Sequence, residues 1–172
     1  MRSYHWSGDS EGGSVKVYLV QHGKAMSEEQ DPERPLTDLG RQETAWVADV
    51  AARLGLEVGQ IRHSGRLRAE QTAEILGEAL EPADGVVPAP GMSPLDNVEP
   101  AAEDLEAASE PMMLVGHLPY VERLAGRLLT GNAGQIVVDF ANSGIVCLER
   151  KVERWQVVWI ITPEIAELKS AV

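Results

Sequence analysis

Cysteine is nearly missing from this chain. Its single cysteine, Cys147, excludes an intramolecular disulfide and any cysteine-based metal framework. It lies in the apolar run GIVCLE and is expected to be a small buried hydrophobe. Positive charge is scarce too, with 15 Lys and Arg against 27 Asp and Glu and a net charge of −12. Phosphate backbones attract clusters of Lys and Arg, so nucleic acid is excluded as a partner, and anionic membrane surfaces are disfavoured. Long apolar runs are absent, and nothing approaches the roughly 20 residues that span a bilayer. The opening MRSYHWSGDSEGGS holds no apolar stretch of the signal-peptide kind. A cytoplasmic location is therefore expected. Internal repeats are missing, as is any carboxylate cluster that would suggest a bound metal.

What remains is ordinary for a globular protein, with 44% hydrophobic and 24% charged residues over 172 positions. That length suits one three-layer core. Residues 1–14 are rich in Gly and Ser, lack periodicity and are expected to form a flexible tail. A single domain is expected over 15–172. Its first element is the strand in VKVYLVQHG, Val15 to Gly23. A Pro-containing loop follows from Lys24 to Asp38, then a helix over Leu39–Leu54 with Ala45, Val47, Ala48, Ala51, Ala52 and Leu54 as its apolar residues. A short strand at Gln60–His63 leads into a helix from about Arg66. Ala69, Thr72, Ala73, Leu76 and Leu80 give that helix its buried face.

The segment Glu81–Pro100 is rich in Pro and Gly, with a short strand at Val86-Val87, and reads as a functional loop. A short acidic helix (Ala101–Ala108), a strand (Pro111–Val115) and a helix with Pro119 in its first turn (Pro119–Leu129) come next. Strands are expected at Val137–Phe140, Gly144–Glu149 and Trp155–Ile161, the last two as a hairpin, before a terminal helix at Pro163–Lys169. The alternation predicts an α/β fold: a three-layer α/β/α sandwich with a largely parallel sheet and a C-terminal antiparallel hairpin.

Two strands end alike, YLVQHG and MLVGHL, and in an open parallel sheet the active crevice lies at the carboxyl ends of strands. His22 and His117 can therefore meet although they are far apart in sequence. A third strand end brings His63-Ser64-Gly65, with Arg66 and Arg68 at a helix start. Helix N-termini attract anions, and arginines add forked donors suited to a phosphoryl group. An imidazole can attack phosphorus, and arginines can stabilise charge on its oxygens. Taken singly, each of these residues is as readily structural as functional; their co-occurrence at three strand ends is the signal. His63 itself reads as structural, and His5 has no assigned role.

QHG after strand one, RPLTDLGR, SGRLRAEQTAEIL and VGHLPY together resemble the histidine phosphatase superfamily. The short chain and the RPLT and LRAEQT segments are most similar to its SixA-type phosphohistidine phosphatase branch. The resemblance covers about Val15 to Leu129. It implies that His22 is a transiently phosphorylated nucleophile, that Arg68 grips the phosphoryl group and that His117 supports the transition state. It implies that Gly23 lets the loop wrap close to the phosphate and that Arg34 faces the pocket. Thr72 is assigned to packing, and Glu70 to solvent or an arginine. No cofactor and no metal are implied.

The family pattern begins Arg-His-Gly, and here Gln21 stands at the arginine position. Two lesser departures are Gly65 in place of Pro and Leu118 in place of Asn. Gln21 keeps an amide donor but brings no charge, and Arg34, Lys24 or Arg66 are the candidates to compensate. Three readings stand: a phosphatase acting on phosphohistidine in a protein, a weakened member that binds phosphorylated ligands without turnover, and a phosphatase for small phosphate esters. The last needs a general acid, for which the loop offers Asp96 and Glu99. The expected partner is accordingly a phosphorylated protein or a small phosphorylated molecule.

Overall fold

The computed structural model describes residues 14–152 and 154–170. The tail expected over 1–14 lies, apart from Ser14, outside the described residues.

Alternation along the first strand sets the layers. In β1 (Val15–Gln21), Tyr18 and Val20 enter one apolar cluster, while Val17 and Leu19 enter another. A strand buried on both faces belongs in the middle of a sheet. The remaining elements are α1 (Asp38–Arg53), β2 (Gln60–His63), α2 (Leu67–Leu80), β3 (Val86–Pro88), α3 (Glu99–Ala107), β4 (Met112–Gly116), α4 (Tyr120–Thr130), β5 (Ile145–Lys151), β6 (Arg154–Ile161) and α5 (Pro163–Ser170). The sheet runs β3-β2-β4-β1-β5-β6. Its first four strands pair in parallel, and β5 pairs antiparallel with both β1 and β6. Helices α1, α2 and α5 cover one face through Val47, Ala51, Ala73, Leu76 and Ala166. Helices α3 and α4 cover the other through Leu105, Val121, Leu124 and Leu128. The expected three-layer sandwich with its terminal hairpin is what forms.

Four expectations change. In α1 the buried stripe is Thr44, Val47, Ala48 and Ala51, at i, i+3, i+4 and i+7, so Ala45, Ala52 and Leu54 face outward. Helix α3 begins at Glu99, two residues early, because Pro100 is tolerated in a first turn. The segment 137–140 is not a strand. Both flanks of β1 are already taken, by β4 and β5. The alternation there is real but serves anchoring: Val138 and Phe140 are buried among α4 residues, while Val137 and Asp139 are exposed. The chain passes so close to α4 that a Cβ on Gly126 would collide with the Gln135 carbonyl oxygen. Pro119 is the N-cap of α4 rather than part of its first turn. Among the described residues no helix is long and apolar enough to cross a membrane.

The first turn of α1 presses on the loop that follows β1. Thr37 caps α1, accepting from the Gly40 N–H at 3.0 Å, and its own N–H donates to the Lys24 carbonyl at 2.9 Å. A Cβ on Gly40 would strike that same carbonyl. Gly40→Ala should therefore cost about 1–3 kcal/mol by overpacking, read as a lower Tm; an unchanged Tm would mean that the loop yields freely.

Candidate active site

Strand order does the assembling. In the series β2-β4-β1, three neighbouring parallel strands end at His63, Gly116 and Gln21. Each is followed by a polar residue, Ser64, His117 and His22, so these three side chains gather at one edge of the sheet. The two imidazoles lie with ring centroids 4.9 Å apart at 60°. Helix α2 begins beside them, and Arg68 in its first turn is buried.

Hydrogen bonds fix the state of His22. Its Nδ1 lies 2.7 Å from the Gly23 carbonyl oxygen, which can only accept, so Nδ1 carries the proton. The neutral ring then has its lone pair on Nε2, and Arg68 Nε–H donates to it at 3.2 Å. Burial is the largest influence on the ring and drives its pKa down to about 4. The Gly23 bond opposes this, and Arg68 and Arg34 add to it. His117 is 2% exposed. Burial, then His22 and the three arginines Arg68, Arg66 and Arg34, push its pKa down to about 3. Both rings are neutral near pH 7. A neutral imidazole with an available lone pair can act as a nucleophile, and the surrounding guanidinium groups can receive an anion. Positive charge is thus concentrated here against the acidic whole.

A sequence model of the histidine phosphatase superfamily (branch 1) matches residues 17–94. The chain belongs to that superfamily. It is 33% identical over 150 residues to an uncharacterised protein of Picosynechococcus sp., covering 83% of this chain and 89% of that one. It is 29% identical over 122 residues to the phosphohistidine phosphatase SixA of Escherichia coli strain K12, covering 68% and 76%. Among solved structures it resembles the protein histidine phosphatase SixA complexed with tungstate, with a TM-score of 0.73 and 25% identity over 86% of this chain and 97% of the other. These relatives place it in the SixA-type branch of the histidine phosphatases.

The other expected residues are placed as follows. Arg34 is half-buried, has a left-handed backbone (φ 51°) and is steadied by Nε donating to the Met26 carbonyl at 3.1 Å. It is close enough to depress both imidazoles. Gln21 has its Oε1 buried without a partner among the described residues. Packing around Gly23 also requires a glycine. Its φ is not left-handed, but a Cβ there would lie 2.8 Å from Thr44 Oγ1 and 2.9 Å from Ser143 Oγ. It is a packing glycine under α1. Lys24 pairs with Glu43 at 2.7 Å.

Neither candidate acid contacts the imidazoles. Glu99 is in the first turn of α3, where both carboxylate oxygens accept from Arg127 Nε at 2.9 Å, clamping α3 to the distal half of α4. Asp96 caps its own loop by accepting from the Ser93 N–H at 2.8 Å. It borders a cavity of about 310 Å³ shared with Tyr120 and Met92.

Sequence reasoning assigned Thr72 to packing and gave no individual role to Gln71, Asn142 or Ser64, the residues that hold the site together. Thr72 Oγ1 accepts from the Gly23 N–H at 3.0 Å and donates to the Arg68 carbonyl at 2.7 Å. Gln71 Oε1 accepts from the Leu36 N–H at 2.8 Å, holding the RPLT loop. Both belong to LRAEQT, so the signal was present. Asn142 Nδ2 donates to the His22 carbonyl at 2.8 Å; nothing in Ala141-Asn142-Ser143 beyond a turn signal announces it. Ser64 Oγ lies 2.6 Å from His117 Nε2.

The depressed imidazoles make stability depend on pH. The folded values lie below the unfolded value near 6.5, so the unfolded chain takes up protons first as pH falls. This contribution is complete above about pH 6.5 and is lost progressively toward 4 and 3. Denaturant melts from pH 7 to pH 5 should lose about 1–2 kcal/mol per imidazole, and the slope should shrink in His117→Gln. An unchanged slope in that variant would assign the loss to other groups.

Proposed function

We propose that this histidine phosphatase homologue transfers a phosphoryl group to His22 and then to water, with phosphohistidine in a protein as its substrate. One domain over 15–172 carries the activity. The observation behind this reading is the tautomer of His22: Nδ1–H on the Gly23 carbonyl and a lone pair on Nε2. Nε2 attacks phosphorus, the bond from phosphorus to the leaving nitrogen breaks, and its electron pair leaves with a protonated imidazole as neutral imidazole. A water oxygen then attacks phosphorus, the bond to Nε2 breaks and inorganic phosphate departs. Arg68 donates to Nε2 in the resting site, so it transfers its donors to the phosphoryl oxygens when substrate enters. His117 and Arg34 supply further donors.

Substrate class follows from what faces the imidazoles. Asp96 and Glu99 make contacts elsewhere. An alkoxide leaving group needs an acid, whereas an already protonated imidazole does not. This favours a phosphoramidate over a small ester. The tungstate bound in the solved SixA relative is an oxyanion, and an arginine-rich pocket here suits the same chemistry. Gln21 supports the second reading, a member that binds phosphorylated ligands with little turnover, because a neutral amide replaces a charge.

Incubation with a labelled phosphohistidine peptide should leave acid-labile phosphate on the wild-type chain and none on His22→Ala; equal hydrolysis by the two would remove His22 as nucleophile. A charge-assisted hydrogen bond contributes about 1.5–3 kcal/mol, so Gln21→Arg should raise kcat/KM by roughly ten- to a hundredfold. No gain would mean that Arg34 or Arg66 already compensates.

A further inference from the structure

We propose that Ser64 is a positioning residue that fixes the tautomer of His117: its hydroxyl donates to Nε2, so the ring's one N–H sits on the buried Nδ1, free for a phosphoryl oxygen. Two strand ends 53 residues apart in sequence create the contact, at 2.6 Å. His63 pairs with Val115, so Ser64 and His117 leave the sheet close together. His117 is neutral, which makes one ring nitrogen a donor and the other an acceptor.

Nδ1 is buried and has no partner among the described residues. In the opposite tautomer it would carry a buried lone pair beside a pocket built for an anion, where it would repel the phosphoryl oxygens. In the proposed tautomer the orphan is an N–H that lacks only an acceptor. The serine oxygen supports the same choice. The Arg66 backbone N–H, which can only donate, lies 3.5 Å from Ser64 Oγ, so one lone pair of the oxygen faces Arg66 while the hydroxyl proton stays available for Nε2. Both histidines then carry the proton on Nδ1 and use opposite edges. His22 hides its N–H on a carbonyl and offers a lone pair; His117 covers its lone pair with a serine and offers an N–H.

The purpose given to that N–H rests on the phosphatase reading, but the tautomer does not, and the test separates them. A long-range proton–nitrogen correlation spectrum of the isotope-labelled full chain at neutral pH, with His117 assigned by comparison with His117→Gln, should show protonated Nδ1 and bare Nε2. A protonated Nε2 in the wild-type spectrum overturns the proposal. Ser64→Ala should shift the ring toward a mixture of tautomers and lower kcat about five- to tenfold with a smaller change in KM, and Ser64→Thr should restore both. A wild-type-like spectrum and kcat in Ser64→Ala overturn it as well. Should Ser64→Ala fail to fold, the wild-type spectrum and Ser64→Thr decide. The proposed tautomer in a chain that never forms phosphoenzyme would remove the phosphatase reading and leave the Ser64 assignment standing.

Discussion

The Thr72 hydroxyl sits between two backbones, and the site depends on it. It accepts from the Gly23 N–H and donates to the Arg68 carbonyl, joining the loop after β1 to the first turn of α2. A buried amide without a partner costs about 1–3 kcal/mol, so this one hydroxyl sets the spacing between His22 and Arg68 with some force. Its neighbours in the helix do related work. Arg68 reaches His22, and Gln71 holds the Leu36 N–H of the RPLT loop. One helical turn therefore fastens two separate loops to itself, three pieces of chain in all. Asn142 adds a fourth from the far side by donating to the His22 carbonyl.

Electrostatics then decide what the assembled residues can do. The chain carries a net charge of −12, yet the groups acting on the two imidazoles are Arg34, Arg66 and Arg68. Burial and these guanidinium groups both oppose protonation, so the rings remain neutral. Neutrality preserves the Nε2 lone pair of His22 while the arginines keep the pocket attractive to an anion. The same burial that suits phosphoryl chemistry lowers stability in acid. The two candidate acids are engaged elsewhere, Glu99 with Arg127 and Asp96 with its own loop.

Much of the fold was legible because β1 and α2 follow simple periods, and the strand at Gln60–His63 was bounded correctly by Ser-Gly. The segment 137–140 misled because anchoring side chains on a coil produce the same alternation as a strand. Glu99 misled because a helix start two residues early moved it from a loop to a clamp. Gly23 was recognised for letting the loop approach a phosphate, while the room that Thr44 and Ser143 require became visible only in the structure. The imidazoles and Arg68 were legible because strand ends and a helix start are positions that pattern can locate.

By itself the sequence determined the layers, the strands that end in histidine and the arginine that starts α2. These follow from local periodicity and short-range turn chemistry, which a chain carries wherever it goes. Tertiary structure alone decided which nitrogen of His22 holds the proton, that His117 meets Ser64 and that Gln21 leaves a buried oxygen unpaired among the described residues. The Gly23 carbonyl that fixes His22 is a neighbour in sequence, but the folded loop sets its direction, and the Arg68 and Ser64 contacts join residues 46 and 53 positions apart; no local pattern encodes such geometry.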